Sequence, residues 1–168
     1  MGSPAGQGAV TAAVLIIGDE ILSGRTQDTN LRDIALYLGV HGVDLMEART
    51  VSDVHEDIIA ALDALRTRYD YVITTGGIGP THDDITADAV AAAFGVELYE
   101  HPDIIAMMTA RWGTEPNAAR RRMARVPVGG DLVKNPVQGP PASPSAMSSS
   151  WPACRRSCAA CWRTWVIG

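Results

Sequence analysis

Residues 69–86 read YDYVITTGGIGPTHDDIT, and this stretch decides the fold. Tyr69–Thr75 is rich in β-branched and aromatic side chains, which predicts a buried strand. Three glycines and a proline follow at once, and then an apolar helical pattern runs from Ala87 to Phe94. A strand that passes through a glycine-rich turn into a helix is typical of the βα units of a parallel sheet.

The same alternation of strand and helix extends in both directions from this stretch. Upstream, strands are predicted at Ala12–Ile17 and Val43–Val51. Helices are predicted after Thr29 or Asn30, either of which can cap the first turn, and after Asp53. Downstream, two more helices are predicted at His101–Trp112 and Asn117–Ala124. These elements predict an α/β fold with a mostly parallel sheet over residues 10–138.

Ligands of such sheets bind beyond the carboxyl ends of the strands. Two loops lie at that edge here, Gly18–Asn30 and Gly76–Asp84. In the second loop, glycines allow a ligand close to the backbone, and the helix that follows offers N–H groups to an anion. Asp83 and Asp84 are either caps favoured by the helix dipole or ligands of a divalent cation, Mg²⁺ or Co²⁺, that also binds phosphate.

Other residues near these loops have two interpretations each. Asp53 is either the N-cap of its helix or a site residue, and Asn30 is either a cap or a ligand contact. Glu20 lies where carboxylates of α/β proteins contact ribose hydroxyls, and is otherwise a solvated loop residue. We expect His82 and the run Arg120–Arg122 to be exposed, with an anion contact as the alternative.

Composition excludes membrane, collagenous and secreted disulfide-rich proteins. The chain has 168 residues, of which 46% are hydrophobic and 20% charged, and its formal net charge is −5. We therefore expect a folded cytoplasmic protein that binds a small phosphate-bearing molecule. We expect no nucleic-acid or membrane partner, and a second copy of the chain is a candidate partner. Residues 1–9 are small and polar, which predicts a disordered N-terminus.

Four motifs in order resemble the molybdopterin-binding domain of the MoaB/Mog superfamily, and more closely the N-terminal domain of the competence/damage-inducible protein A (CinA) family. They are Gly18–Gly24 (GDEILSG), Asp28–Asn30 (DTN), Val51–Asp53 (VSD) and Thr74–Thr86 (TTGGIGPTHDDIT). The resemblance implies a three-layer α/β/α fold, with a pterin or a nucleotide as ligand. It also implies catalytic roles for Asp84 and Asp53 and a metal bound by Asp83 and Asp84. The ligand contacts implied are Gly18, Asp19, Glu20, Asn30, Thr75, Gly76, Gly77, Gly79, Pro80 and Thr86.

Two activities are compatible with this resemblance. One is a binding module for a pterin or nucleotide phosphate. The alternative is a metal-dependent nucleotide pyrophosphatase that acts on ADP-ribose-type substrates.

Residues 139–168 differ from the rest of the chain. All 19 acidic residues lie at or before Asp131, whereas this tail contains all three cysteines, three of the four tryptophans and no acid. Trp and Cys codons and the TCN codons of Ser begin with T, and a shift that moves this T to the middle of a codon encodes apolar residues. We therefore interpret the tail as translated out of frame, so that the strand and helix which the family places after Val137 are missing. We expect Pro140–Ser150 to be poorly packed and the edge of the sheet to be unpaired.

Overall fold

The computed structural model describes residues 9–132 and the backbone of two tail strands. The strands are β1 (Val10–Ile17), β2 (Val43–Val51), β3 (Tyr71–Thr75), β4 (Leu98–Glu100), β5 (Arg125–Pro127), β6 (Gly130–Leu132), β7 (Pro152–Cys154) and β8 (Arg163–Val166). The helices are α1 (Asp19–Leu22), α2 (Asn30–Val40), α3 (His55–Arg66), α4 (Thr86–Phe94), α5 (Pro102–Trp112) and α6 (Ala118–Arg121), followed by a 3₁₀ turn at Arg122–Ala124. Within the described part, no helix is both long and apolar enough to span a bilayer.

The main sheet is parallel, in the order β2-β1-β3-β8. Its three upstream strands confirm the sequence prediction, although β3 begins at Tyr71 rather than at Tyr69. The N–H of Tyr69 donates to the carbonyl of Leu65 at 3.1 Å, so this residue belongs to the turn that follows α3. The carboxyl ends of β1, β2 and β3 lie together at one edge of the sheet.

Helices cover both faces of the sheet. On one face, Ile34 and Leu38 of α2 pack against alternate residues of β1 and β3. On the other face, α3 and α4 pack against the remaining residues of the same strands. Every residue of Ala12–Ile17 is at most 5% exposed, as the uninterrupted apolar run predicted. The three-layer α/β/α architecture is therefore confirmed.

A smaller apolar cluster follows the main layers. Ile104 and Met108 of α5 pack against Ala124 and Val126, beside the antiparallel pair β4–β5. The sequence predicted a single helix over Asn117–Ala124, which is wrong at its C-terminal end: α6 stops after one turn because the chain enters the 3₁₀ turn and then pairs with β4. These three-residue strands are too short to show the period-two pattern that predicts a strand.

The tail supplies the outer strand of the main sheet. Backbone pairing joins Tyr71–Thr74 of β3 to Arg163–Val166 in parallel register. The expectation of an unpaired edge at β3 is therefore wrong. The predictions for residues 1–8, for Pro140–Ser150 and for the strand and helix after Val137 fall outside the described residues.

Candidate functional site

The two predicted loops meet at the carboxyl edge of the sheet. A cavity of about 180 Å³ lies between them, and four of the predicted contacts line it, namely Glu20, Asn30, Thr75 and Gly76. The N–H of Gly18 donates to the carbonyl of Val51 at 3.1 Å, which holds the ends of β1 and β2 side by side. Of the second loop, only Gly76 is among the described residues that line this cavity, so a wider cleft built from Gly18–Asn30 and Gly76–Asp84 stays a prediction.

Asp53 points into this region instead of capping α3. The helix begins at His55, and no side chain caps its first turn. One carboxylate oxygen of Asp53 accepts a hydrogen bond from the backbone N–H of Asp19 at 2.9 Å. The other lies 3.5 Å from the point that a Cβ atom on Gly77 would occupy. Asp53, in the loop after β2, thus bonds to the segment after β1 and faces the glycine turn after β3.

The pKa of Asp53 is raised above its ordinary value of 3.8. Burial is the largest cause, and the negative charges of Glu20, Asp19 and Asp84 add to it, while the hydrogen bond from Asp19 opposes it. Three neighbouring carboxylates therefore disfavour the ionised form of Asp53. A raised carboxylate pKa beside like charges in a cleft is a common feature of functional sites.

The glycine turn after β3 tolerates no side chain. Gly76 and Gly77 have φ angles of 90° and 60°, in the left-handed region that favours glycine. A Cβ atom on Gly76 would lie 1.8 Å from the carbonyl oxygen of Ile17. Thr86, the first residue of α4, closes the turn: its hydroxyl donates to the Gly76 carbonyl at 2.8 Å, and its N–H donates to the Gly77 carbonyl at 3.1 Å.

Asp83 and Asp84 have different partners. The carboxylate of Asp84 accepts hydrogen bonds from the N–H and the hydroxyl of Thr81, and it lies beside Gly79. Asp83 contacts His82 at 2.8 Å on the exposed side of the loop. Neither aspartate caps α4, whose N-cap is Ile85. The interpretation of the pair as helix caps is therefore wrong, whereas the exposure predicted for His82 is confirmed.

The described residues contain no ready-made metal centre. Across residues 9–132, no group of three or more His, Cys, Asp or Glu side chains is arranged to hold a metal ion. The metal-binding role of Asp83 and Asp84 stays a prediction, as do the contacts predicted for Gly18, Asp19, Gly79, Pro80 and Thr86.

The N-cap position of α2 is Thr29, one of the two predicted residues, but its side chain makes no capping hydrogen bond. The carboxylate of Asp28 instead accepts a hydrogen bond from the N–H of Leu31 at 2.9 Å. Asp28 therefore supplies the hydrogen bond that an N-cap side chain usually makes. Asn30 is consequently not needed as a cap, and it lines the cavity with an exposed side chain.

The arginine run is not a uniformly solvated face. Arg120 is exposed and stacks on Trp112 at 4.3 Å, but Arg121 pairs with Glu100 at 2.8 Å. Arg122 donates through Nη2 to the backbone carbonyl of Asp84 at 3.3 Å, so it contacts the second loop of the site. Its Nε is buried and has no hydrogen-bond partner among the described residues.

Sequence reasoning missed part of the cavity wall. Thr26 and Gln27 line the cavity although they belong to none of the four motifs. The N–H of Thr26 donates to the carbonyl of Glu20 at 3.0 Å, which folds the loop back over the end of β1. Their position between two matched motifs was the only available signal.

Comparison with known proteins agrees with this architecture. Residues 13–157 match the family described as probable molybdopterin binding domain. The chain belongs to this family. It is a CinA-like member of the MoaB/Mog superfamily, which confirms the resemblance seen in the four motifs.

Two curated relatives support the assignment of the chain to this family. The chain is 39% identical over 131 residues to a CinA-like protein of Myxococcus xanthus, and 45% identical over 128 residues to one of Citrifermentans bemidjiense. These alignments cover 76% and 74% of the chain and 31% of each relative, so the chain spans about a third of their length.

The solved structure is that of the protein CinA, with unknown function, from Thermoplasma acidophilum. It superposes with a TM-score of 0.76 at 29% identity, covering 94% of this chain and 87% of that one. The tungsten cofactor synthesizing protein MoaB from Pyrococcus furiosus shares the fold, with a TM-score of 0.52 at 20% identity over 78% of each chain.

Proposed function

We propose that this domain binds a phosphate-bearing pterin or nucleotide in the cleft between Gly18–Asn30 and Gly76–Asp84. The observation that carries the proposal is the position of Asp53, which leaves the N-terminus of its own helix uncapped and bonds to Asp19 in the neighbouring loop. A half-buried carboxylate with a raised pKa costs stability, and a role in ligand binding explains why it lies there.

The second loop supports a place for the phosphate. Gly76 and Gly77 bring bare backbone to the surface of the cleft, and no side chain caps the N-terminus of α4 behind them. Arg122 contacts the same loop through Nη2, which brings its positive charge beside the cleft, while its Nε is buried. Backbone N–H groups and one guanidinium would together compensate the charge of a phosphate in an otherwise acidic cleft.

A second candidate function is hydrolysis of a nucleotide pyrophosphate such as ADP-ribose. The negative charges of Asp19, Glu20 and Asp84 around Asp53 favour it, because a divalent cation would offset their repulsion of the Asp53 carboxylate. In this reaction, the oxygen of water forms a bond to one phosphorus, and the bridging P–O bond breaks to give AMP and ribose phosphate. The raised pKa suits Asp53 to accept the proton of the water, and Asp84 is the candidate carboxylate for holding a cation beside the reacting phosphate.

The donor set fits a cation only together with the ligand. Mg²⁺ is commonly held by one or two carboxylates plus substrate phosphates, with water completing the shell. Asp84 is the carboxylate in the cleft for this role, and Asp83 would have to leave His82 to join it. When bound, the cation would neutralise charge on the phosphates.

The test combines binding and turnover on the whole chain. Calorimetric titration with AMP and with ADP-ribose, each with and without Mg²⁺, measures binding, and release of AMP from ADP-ribose with Mg²⁺ or Co²⁺ measures turnover. Asp84→Asn keeps an oxygen for Thr81 but removes the charge. Asp33→Asn, which alters an exposed carboxylate on α2, is the matched control.

The outcomes separate the two functions. Binding without AMP release supports the binding module. AMP release that Asp84→Asn abolishes, and that Asp33→Asn leaves intact, supports the pyrophosphatase. Binding of neither nucleotide under any of these conditions contradicts the pyrophosphatase and the nucleotide as ligand of the binding module.

A further inference from the structure

The cavity between the two loops has an acidic wall. Glu20 and Asp28 line it, and none of the described residues around it is Lys or Arg. Ile16, Ile17 and Ile21 supply an apolar surface. A phosphate would gain no ionic partner there and would be repelled by two carboxylates, whereas a neutral group with N–H or O–H donors would be attracted.

Thr75 carries an unused hydroxyl on this wall. The residue is 1% exposed, and its Oγ1 has no hydrogen-bond partner among the described residues. A buried hydroxyl without a partner lowers stability, and each such group in a folded protein calls for an explanation. A ligand atom that fills the cavity would supply the missing partner.

The size of the cavity limits what enters it. Pockets that hold a whole drug-sized ligand measure roughly 300–1,000 Å³. At about 180 Å³, this cavity has room for one part of a nucleotide or pterin phosphate and not for all of it.

We propose that this cavity holds the uncharged end of the ligand, a planar nitrogen heterocycle with N–H or O–H donors, and that the phosphate lies outside it. The ring packs against the isoleucines, donates to Glu20 and pairs with the Thr75 hydroxyl. The phosphate then extends toward the glycine turn at Gly76–Gly77 and toward Arg122, where the cationic and backbone donors lie. This orientation rests on the proposed function, because that function places the ligand in the cleft.

Thr75→Val tests the orientation, and Thr74→Val is its matched control. Both threonines are fully buried with unpartnered hydroxyls, but successive side chains of a strand point to opposite faces, and only Thr75 lines the cavity. Valine keeps the shape and removes the hydroxyl. We expect both variants to unfold at the same temperature as the original chain or higher.

The ligands are adenosine and neopterin, which have the ring without phosphate, together with AMP and inorganic pyrophosphate. Thr75→Val should weaken binding of AMP and of at least one ring compound tenfold or more, and should change binding of pyrophosphate less than twofold. Thr74→Val should leave all of these affinities within twofold. Glu20→Gln, which alters a half-buried residue of α1 outside the core, should weaken binding of the ring compounds without weakening that of pyrophosphate.

Two results would overturn the orientation. One is AMP binding that Thr75→Val and Glu20→Gln both leave unchanged. The other is pyrophosphate binding that Thr75→Val weakens as much as ring binding. In either case a phosphate ligand still binds, so the orientation fails while the proposed function stands. If neither AMP nor ADP-ribose binds the original chain, the proposed function fails for nucleotides, which is distinct from failure of the orientation alone.

Discussion

The carboxylate of Asp53 accepts a hydrogen bond from the backbone N–H of Asp19, 2.9 Å away, across the ends of two neighbouring strands. The bond joins the loop after β2 to the first turn of α1, 34 residues earlier in the chain. It also brings the charge of Asp53 close to Glu20 and Asp84, which raises its pKa. The cleft is therefore held together by a residue whose ionised form is disfavoured there.

Asp53→Asn should stabilise the domain at neutral pH. An acid whose pKa is raised by folding holds its proton more tightly in the native state, so the native state loses stability as pH rises through that raised pKa. Below the ordinary value of 3.8, the residue is protonated in both states and contributes nothing. Asparagine is neutral at every pH and can still accept the N–H of Asp19.

Urea unfolding at pH 4 and pH 7 measures this effect. The free energy of unfolding of Asp53→Asn should exceed that of the original chain by about 0.5 kcal/mol at pH 7, a modest figure because solvent screens a half-buried charge. The difference should shrink toward pH 4. A difference that is larger at pH 4 than at pH 7 would contradict the charge clustering. Asp33→Asn, at an exposed position, should show no such trend.

Gly77→Ala should destabilise the domain and deform the cleft. At a φ of 60°, the added Cβ would lie 2.4 Å from the hydroxyl oxygen of Thr86, which holds the turn. Left-handed strain and this clash should together cost about 2 kcal/mol or more. The control is Gly39→Ala on α2, where no atom lies within 4 Å of the new Cβ. Because alanine favours a helix, that variant should gain roughly 0.5–1 kcal/mol.

Chemical unfolding of both glycine variants, followed by calorimetry with AMP, checks this pair. Equal effects at the two positions would show that the turn does not need its left-handed glycine.

Strands buried on both faces were predictable from the sequence, whereas a contact between distant loops was not. The central strands could be predicted because both of their faces are buried, so Ala12–Ile17 is an uninterrupted apolar run, and its length is that of a strand rather than a helix. The turn after β3 could be predicted from its glycines, because no other residue adopts its backbone geometry at low cost. The role of Asp53 could not be separated from capping by local sequence. An aspartate just before a helix matches the pattern of an N-cap. The carboxylate of Asp53 instead accepts the N–H of Asp19, which is 34 residues away in the sequence.

Arg125→Gln should loosen the segment that carries Arg122. Arg125 makes a two-pronged contact with Asp88 of α4, at 2.8 and 2.7 Å, and both side chains are partly buried. Two parallel charge-assisted bonds fix orientation as well as distance. We expect a loss of about 1 kcal/mol in the free energy of unfolding, in line with a partly exposed ion pair of good geometry.

The matched control for this pair is Arg32→Gln. Arg32 lies 3.7 Å from Asp33, both side chains are at least 76% exposed, and the loss should stay within about 0.5 kcal/mol. Thermal or urea unfolding of the two variants compares them directly. An equal loss at both positions would contradict an anchoring role for Arg125.

An out-of-frame tail requires an inserted or deleted base in the gene. Resequencing the codons for Gln138–Ala142 should reveal an inserted or deleted base. The corrected chain should replace the cysteines and tryptophans after Gly139 with an apolar strand and an amphipathic helix. That chain should unfold at a higher temperature than this one, because a parallel sheet is stabilised when helices cover both of its faces.

The pairing of Arg163–Val166 with β3 already counts against this hypothesis, since it gives the tail a place in the sheet. A clean reading frame at these codons would complete the case against it. The tail would then be a native part of the domain. In that event, deleting residues 155–168 would remove the strand beside Tyr71–Thr74 and should lower the unfolding temperature measurably.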